Sequence, residues 1–322
     1  MTLVRQPTHA GVRDAAAKIA RILPPTPVFV VELQGVAVAF KAESLQPVGA
    51  FKIRGAWHRL TTLDPAARAR GVVAFSSGNH AQGVAWAAQR LGMPATIVMP
   101  SDAPEVKRAA TLALGAEIVG YDRRSESRER IAGDLAAQRG ATLVPSFDDP
   151  WVIEGQGSAG IEAAAQMAAE GLGPVRHAVT PCGGGGLAAG LALALPDARV
   201  TVVEPAGWDD MRVSLEAGRI EPVAADAPDT ACDALQTPRV SPLTFAVLAG
   251  RGATGVSVSE ADVRAAQRWA ARQLRLVVEP GGAVALAALL AGKVAPTQGM
   301  LVLLSGGNVD PQAYAAVLAR ND

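Results

Sequence analysis

The sequence predicts an α/β protein with mostly parallel sheets, on two observations. Short β-branched runs alternate with helix-patterned stretches, and the unusual loops all follow predicted strands. In such sheets ligands sit at the carboxyl ends of the strands, so odd loops gathered at those ends point to one shared site. Taken in order, Gly71-Val72-Val73-Ala74-Phe75 is a short apolar run broken by Ser76-Ser77-Gly78-Asn79-His80. Residues 81–91 form a predicted helix closed by Gly92. Residues 95–99 are a strand stopped by Pro100, and 104–114 a helix with proline at its start and Gly115 past its end. Residues 117–119 and 142–144 are short strands flanking a helix, 125–139, that is polar on one side. In the second half, strand 178–180 meets a glycine run before helix 187–194, and 199–204 is a strand. Helices are predicted over 260–273 and 282–291, and the strand Met300–Leu304 ends at Ser305-Gly306-Gly307-Asn308.

The 322 residues suffice for a large core and suggest two domains. With 49% hydrophobic and 19% charged residues, the composition is that of a compact enzyme rather than a disordered chain. Thirty basic residues balance thirty acidic ones, which gives no support for a nucleic-acid or membrane partner. Two cysteines, Cys182 and Cys232, make neither a disulfide framework nor a zinc cluster. Residues 1–12 are mixed and polar, without a signal-type apolar run, and no stretch is long and apolar enough for a membrane span. A reducing cytoplasm is the simplest placement.

Four segments carry chemistry. Gly183-Gly184-Gly185-Gly186-Leu187 lies between a strand and a helix. Its uncovered backbone N–H groups and the helix N-terminus can cradle a phosphate, although it lacks the Lys-Ser/Thr of a P-loop; a flexible turn is the alternative. Lys52 sits between apolar Phe51 and Ile53 at a predicted helix start, where apolar surroundings and the helix dipole lower an amine's pKa and make it a nucleophile. A solvated surface lysine is the plainer reading of that position alone. Ser76-Ser77-Gly78-Asn79-His80-Ala81-Gln82-Gly83 offers hydroxyls, an amide and backbone donors to a carboxylate, or else merely an N-cap. Ser305-Gly306-Gly307-Asn308 is a turn, or a hydroxyl presented to a ring nitrogen.

Together, Gly49 to Ala56, Ser76 to Gly83, Gly183 to Leu187 and Ser305 to Asn308 resemble the signature segments of fold-type II pyridoxal-phosphate (PLP) enzymes, nearest to the serine/threonine dehydratase and serine racemase group. The resemblance runs roughly from Pro24 to Asn308, with further matches at Ser127-Arg128-Glu129, Gly155-Gln156-Gly157-Ser158, Glu204-Pro205 and Glu279-Pro280. It implies two open, twisted, mostly parallel sheets flanked by helices. A small mobile domain, 74–145, would be inserted in a large PLP-binding domain, 1–73 and 146–322.

Residue by residue, the resemblance implies that Lys52 forms the internal aldimine and shuttles the α-proton, with Phe51 near the ring. Asn79 would bond the phenolic oxygen, Gly183, Gly184, Gly185 and Gly186 the phosphate, and Ser305 the pyridine nitrogen. Ser76, Ser77, Gly78, Asn79 and His80 would wrap the substrate carboxylate. Ser77 matches the opposite-face acid/base of racemases, and Arg128 an arginine that reaches dicarboxylates on closure. A neutral Ser305 at the ring nitrogen holds no extra proton there, which favours β-elimination over transamination. The expected reaction is dehydration of L-threonine, L-serine or a similar β-hydroxy amino acid to a 2-oxo acid and ammonia. Racemisation, dehydration of 3-hydroxyaspartate, phenylserine or a hydroxyectoine-pathway substrate, and a PLP carrier or sensor are the alternatives.

Glu204 and Asp210 lie six positions apart with a backbone carbonyl between them, which suits a hard cation, or a solvated acidic loop. The spacing resembles the divalent-cation site of serine racemases and implies Mg²⁺, Mn²⁺ or Ca²⁺ on Glu204, Asp210 and the Trp208 carbonyl. Where the dehydratase group carries Ala-Asp-Gly, this chain reads Cys232-Asp233-Ala234, followed by Gln236 and Thr237, which leaves the substrate side chain open. Ser158 stands where threonine is usual. A homodimer is expected from the resemblance, and the chain's end soon after Ser305 leads to the expectation of no feedback-regulatory domain.

Overall fold

The computed structural model describes residues 5–320; the outer limits expected for the large domain, 1 and 322, lie outside them. Helix α1 (His9–Ile19) leads into β1 (Val28–Leu33) and β2 (Val36–Ala42), followed by α2 (Lys52–Thr61) and α3 (Pro65–Arg70). Then come β3 (Val72–Phe75), α4 (Asn79–Leu91), β4 (Ala95–Pro100), α5 (Glu105–Ala113), β5 (Glu117–Tyr121), α6 (Arg128–Arg139) and β6 (Thr142–Leu143). The chain continues through α7 (Pro150–Ala169), β7 (His177–Pro181), α8 (Gly186–Ala194), β8 (Arg199–Pro205), α9 (Asp210–Ala217) and α10 (Pro242–Gly250). It closes with β9 (Thr254–Val258), α11 (Glu260–Trp269), α12 (Pro280–Leu290), β10 (Met300–Leu304) and α13 (Pro311–Ala319).

Six strands form one sheet in the order β1-β2-β10-β7-β8-β9, and four form a second in the order β5-β4-β3-β6. Every pairing is parallel except β1 with β2. The exception is a hairpin turned by Gln34-Gly35, both with positive φ (53° and 77°), as a two-residue primed turn requires. Strands buried on both faces, such as Met300–Leu304, read as continuous apolar runs because helices cover each side.

One element departs from the sequence reading. The helix expected over 260–273 stops as an α-helix at Trp269. A π-turn, Ala270–Leu274, follows, and Arg275 at φ 58° releases the chain toward Glu279. The twenty-residue α7, for which the sequence reading named no element, carries three glycines that serve as contact points. A Cβ on Gly155 would stand 2.6 Å from the Gly55 Cα, and one on Gly157 would stand 2.5 Å from the Gly190 carbonyl oxygen. Helices α2 and α8 therefore approach α7 backbone to backbone.

Beneath α2 lies a buried charge network. Arg54, fully buried, makes a two-pronged pair with Glu43 (Nε–Oε2 2.7 Å, Nη2–Oε1 2.8 Å) and also reaches Glu162 (2.9 Å) and Ser158 (3.2 Å). Lys41 pairs with the same Glu162, so two cations meet two carboxylates. The Arg54 guanidinium holds Glu43 below the usual carboxylate range against the opposing effect of burial.

Gly157→Ala should destabilise the protein by about 1–3 kcal/mol, because its methyl group has no room against the α8 backbone. Gly133→Ala on α6, where nothing lies within 4 Å, should stabilise it by up to about 1 kcal/mol. Urea unfolding of both variants measures the contrast; equal effects would contradict the packing.

Candidate active site

The carboxyl ends of β3, β7 and β10 and the start of α2 surround a cavity of about 710 Å³ between the two sheets. Its walls include Phe51, Lys52, Ser76, Ser77, Gly78, Asn79 and His80. Gly183, Gly184, Gly185, Gly186, Arg128 and Ser305 line it as well. Every residue expected to meet the cofactor or the substrate therefore borders one space.

Lys52 is placed by backbone pairing between two loops. The Phe51 N–H donates to the Ser305 carbonyl (3.0 Å) and the Gly307 N–H to the Gly49 carbonyl (2.8 Å), while Ala50 bridges Gly306. The Lys52 amine donates to the Ser146 carbonyl at 2.9 Å and stands 5.2 Å from the Phe51 ring centre. Removal from water lowers its pKa to about 8, partly opposed by the Glu279 carboxylate. An amine so held has a reactive neutral fraction near neutral pH.

The glycine loop joins β7 to α8. Gly185 is the α8 N-cap, left-handed at φ 87° and without a side-chain cap. A Cβ on Gly184 would stand 2.3 Å from the Phe147 ring, and one on Gly185 would stand 2.7 Å from Met211 Cε, so no larger residue fits either place. The bare loop at a helix N-terminus fits a phosphate.

Asn79 and His80 open α4. The Asn79 Nδ2 donates to Glu279 Oε1 (2.7 Å), and Asn79 Oδ1 accepts from Asn308 Nδ2 (2.8 Å). His80 is buried with Nε2 bonded to the Val144 carbonyl (2.9 Å). Burial, with the Lys52 charge beside it, pushes its pKa down to about 3, so the imidazole is neutral and fixed in place. Arg128, at the first turn of α6, bonds Glu129 through Nε (2.8 Å) and stands 5.6 Å over the Phe75 ring. Lys107 of α5 spans the cavity mouth to Asp233 at 2.5 Å.

Glu279, Asn308, Lys107 and Asp233 all border the cavity, yet the motif reading gave them no role. Glu279 entered the sequence reading only within the Glu279-Pro280 match; its local signal is a carboxylate directly after the apolar run Leu276-Val277-Val278 and before a helix-starting proline. Lys107 and Asp233 meet only through the tertiary fold.

The expected cation ligands do not line this cavity. Glu204, at the end of β8, is fully buried and accepts the N–H groups of Met211 (3.1 Å) and Arg212 (2.8 Å). Asp210 is buried at the start of α9; neither of its oxygens completes a hydrogen bond of good geometry, the nearest donors being its own N–H and that of Val240. Burial raises Asp210 to about 7, and burial with Asp210 nearby lifts Glu204 well above the usual carboxylate range. Two adjacent buried carboxylates, one without good partners, fit a bound cation. Arg212 does not supply the charge, since its guanidinium is held by Asp209 and Glu216. Among the described residues no three His, Cys, Asp or Glu side chains assemble, so other ligands would be carbonyls or water. Trp208 lies on the intervening loop, its indole bonded to the Pro228 carbonyl at 2.7 Å.

Fold and site define an α/β protein that sets a desolvated lysine amine beside an anion cradle, the layout of an enzyme that holds a phosphorylated cofactor. Residues 19–306 match the family described as pyridoxal-phosphate dependent enzyme, and the chain belongs to that family. It is 42% identical over 320 residues to an L-threo-3-hydroxyaspartate ammonia-lyase of Pseudomonas sp, covering 97% of this chain and 98% of that protein. It is 38% identical to a serine racemase of Schizosaccharomyces pombe, covering 98% of each. A solved threonine deaminase from T.th. superposes with a TM-score of 0.87 at 41% identity, covering 94% of this chain and 99% of that one.

Proposed function

We propose that the chain is a PLP-dependent dehydratase, an ammonia-lyase that removes water from a small β-hydroxy amino acid such as L-threonine or L-serine to give a 2-oxo acid and ammonia. One observation carries the reading: the Lys52 amine, lowered to about 8, shares its cavity with the glycine cradle and the Ser76-to-His80 loop. The ammonia-lyases among the relatives support the same chemistry.

Bound PLP supplies the electron sink for the pair freed at Cα. Gly183 to Gly186 and the α8 N-terminus would hold its phosphate, Asn79 would donate to its phenolic oxygen, and Ser305 would offer a neutral hydroxyl to its ring nitrogen. Ser76, Ser77, Gly78 and the α4 N-terminus receive the substrate carboxylate through small side chains and backbone donors. Lys52 takes the α-proton, and its lowered pKa suits a base working near neutral pH. The unit 74–145 would close over the substrate to exclude water, and its Lys107 pairs with Asp233 of the large unit. Racemisation competes if Ser77 returns a proton from the face opposite Lys52, and D-amino acid in a chiral product assay would favour it.

A second reading, 3-hydroxyaspartate as substrate, is favoured by the Arg128 guanidinium on the cavity wall and by hydroxyaspartate lyases among the relatives. A cation on Glu204 and Asp210 completes the proposal and would be structural or activating, since neither residue lines the cavity. The buried, unpaired cysteines support a reducing cytoplasm, and family likeness alone supports a homodimer, which sedimentation would measure.

Lys52→Ala should abolish the visible absorbance of the PLP-loaded protein and lower 2-oxo acid release by about 10³-fold or more; surviving activity would contradict the mechanism. Arg128→Ala should reduce kcat/KM for 3-hydroxyaspartate by about 10–100-fold while sparing threonine; equal losses would remove the dicarboxylate reading. After chelation, Mg²⁺ should give binding heat with the native chain and none with Asp210→Asn, and no heat in either would remove the cation.

A further inference from the structure

Glu279 occupies the N-cap position of α12 but makes no side-chain cap hydrogen bond there. Its carboxylate turns into the cavity wall instead, with 5% of the residue exposed. It packs so tightly on the Ser305-to-Asn308 loop that a Cβ on Gly306 would stand 2.2 Å from Oε1. Its own N–H donates to the Gly306 carbonyl at 3.0 Å. A buried carboxylate that serves neither its own helix nor a salt bridge at close range calls for another role.

Two contacts define that role. The Asn79 amide gives one Nδ2 hydrogen to Glu279 Oε1 (2.7 Å) and receives an Asn308 Nδ2 hydrogen on Oδ1 (2.8 Å). Asn308 is itself oriented by donating to the Val48 carbonyl (2.8 Å). An ionised carboxylate only accepts, so flipping Asn79 would set oxygen against oxygen and NH₂ against NH₂. Glu279 and Asn308 therefore leave one donor of Asn79 uncommitted, its second Nδ2 hydrogen.

Charge adds a second link. Around Lys52 stand neutral His80 of α4 and the carboxylate of Glu279. Around Glu279 stand Lys52 of α2, Lys107 of α5 and Asp233, and the last two pair with each other. Lys52 and Glu279 line the same cavity, and the Glu279 carboxylate is the charge that opposes the lowering of the Lys52 amine by burial.

We propose that Glu279 is a positioning residue: through Asn79 it fixes a hydrogen-bond donor toward an anionic oxygen of the bound cofactor, and it serves as the counter-charge of the Lys52 amine. This rests on the PLP reading of the cavity. The Glu279 pKa, raised to about 7 by burial, fits a group whose charge depends on its partners.

The experiment uses the full chain carrying Glu279→Gln, Glu279→Ala or Asn79→Ala. It measures PLP affinity and, without PLP, the titration of Lys52 by NMR of ¹³C-methylated amines. Glutamine keeps the acceptor and loses the charge. Glu279→Gln should therefore hold PLP within about threefold of the native chain, while its Lys52 midpoint falls by about one unit below the native value. Glu279→Ala should show the same fall and bind PLP about tenfold more weakly. Asn79→Ala should weaken PLP equally and leave the midpoint in place, and this pair decides the matter if Glu279→Ala does not fold. A merely structural Glu279 would lower thermal stability without moving the midpoint. An unmoved midpoint in Glu279→Gln overturns the counter-charge, and equal PLP affinity in Asn79→Ala and the native chain overturns the donor. A native chain that takes up no PLP overturns the functional reading, and the midpoint still decides the counter-charge.

Discussion

The site depends on the buried pairing of Arg54 with Glu43. Arg54 is two residues from Lys52 on the same helical turn, fully buried, and held by two carboxylates on different elements. Burying charges is costly, and a network of this kind rarely adds stability over a well-packed apolar one. Its effect here is geometric: the guanidinium fork accepts one arrangement of Glu43, Glu162 and α2, and that arrangement sets the direction of the Lys52 side chain. The glycine contacts of α7 act in the same sense. With no side chains at Gly55 and Gly155, α2 and α7 touch at their backbones, and α2 has little freedom to slide.

On this frame the cavity is built by taking water from charged groups and returning selected partners. Lys52 loses solvent and keeps one carbonyl and one nearby carboxylate. His80 loses solvent and stays neutral. The glycine loop has no side chains to screen its backbone from an anion. Each choice makes the amine more reactive and the cradle more selective for a phosphate. The same logic holds at Glu204 and Asp210, where the partners the protein itself returns are too few.

Much of this was legible in the sequence, because strand-loop-helix transitions announce themselves locally. The runs ending at Phe75, Pro181 and Leu304 are apolar and β-rich, and each stops at residues that no strand needs. Lys52 is ambiguous alone and gains meaning from loops far away in the chain. Hidden were features whose signal is non-local. The α7 glycines look like a loop until α2 and α8 are set against them. Glu279 looks like a helix cap until its carboxylate is seen on Asn79, 200 positions away. The Lys107–Asp233 pair joins α5 to the segment between α9 and α10, and nothing in either local sequence foretells it.

The proposed chemistry requires that Lys52 receive the cofactor. The most direct measurement is borohydride reduction of the PLP-loaded protein followed by mass spectrometry of its peptides. The expected product is a single phosphopyridoxyl group, on the peptide containing Lys52 and at that residue. The group on Lys41, Lys107 or any other lysine, or no stable incorporation at all, would contradict it.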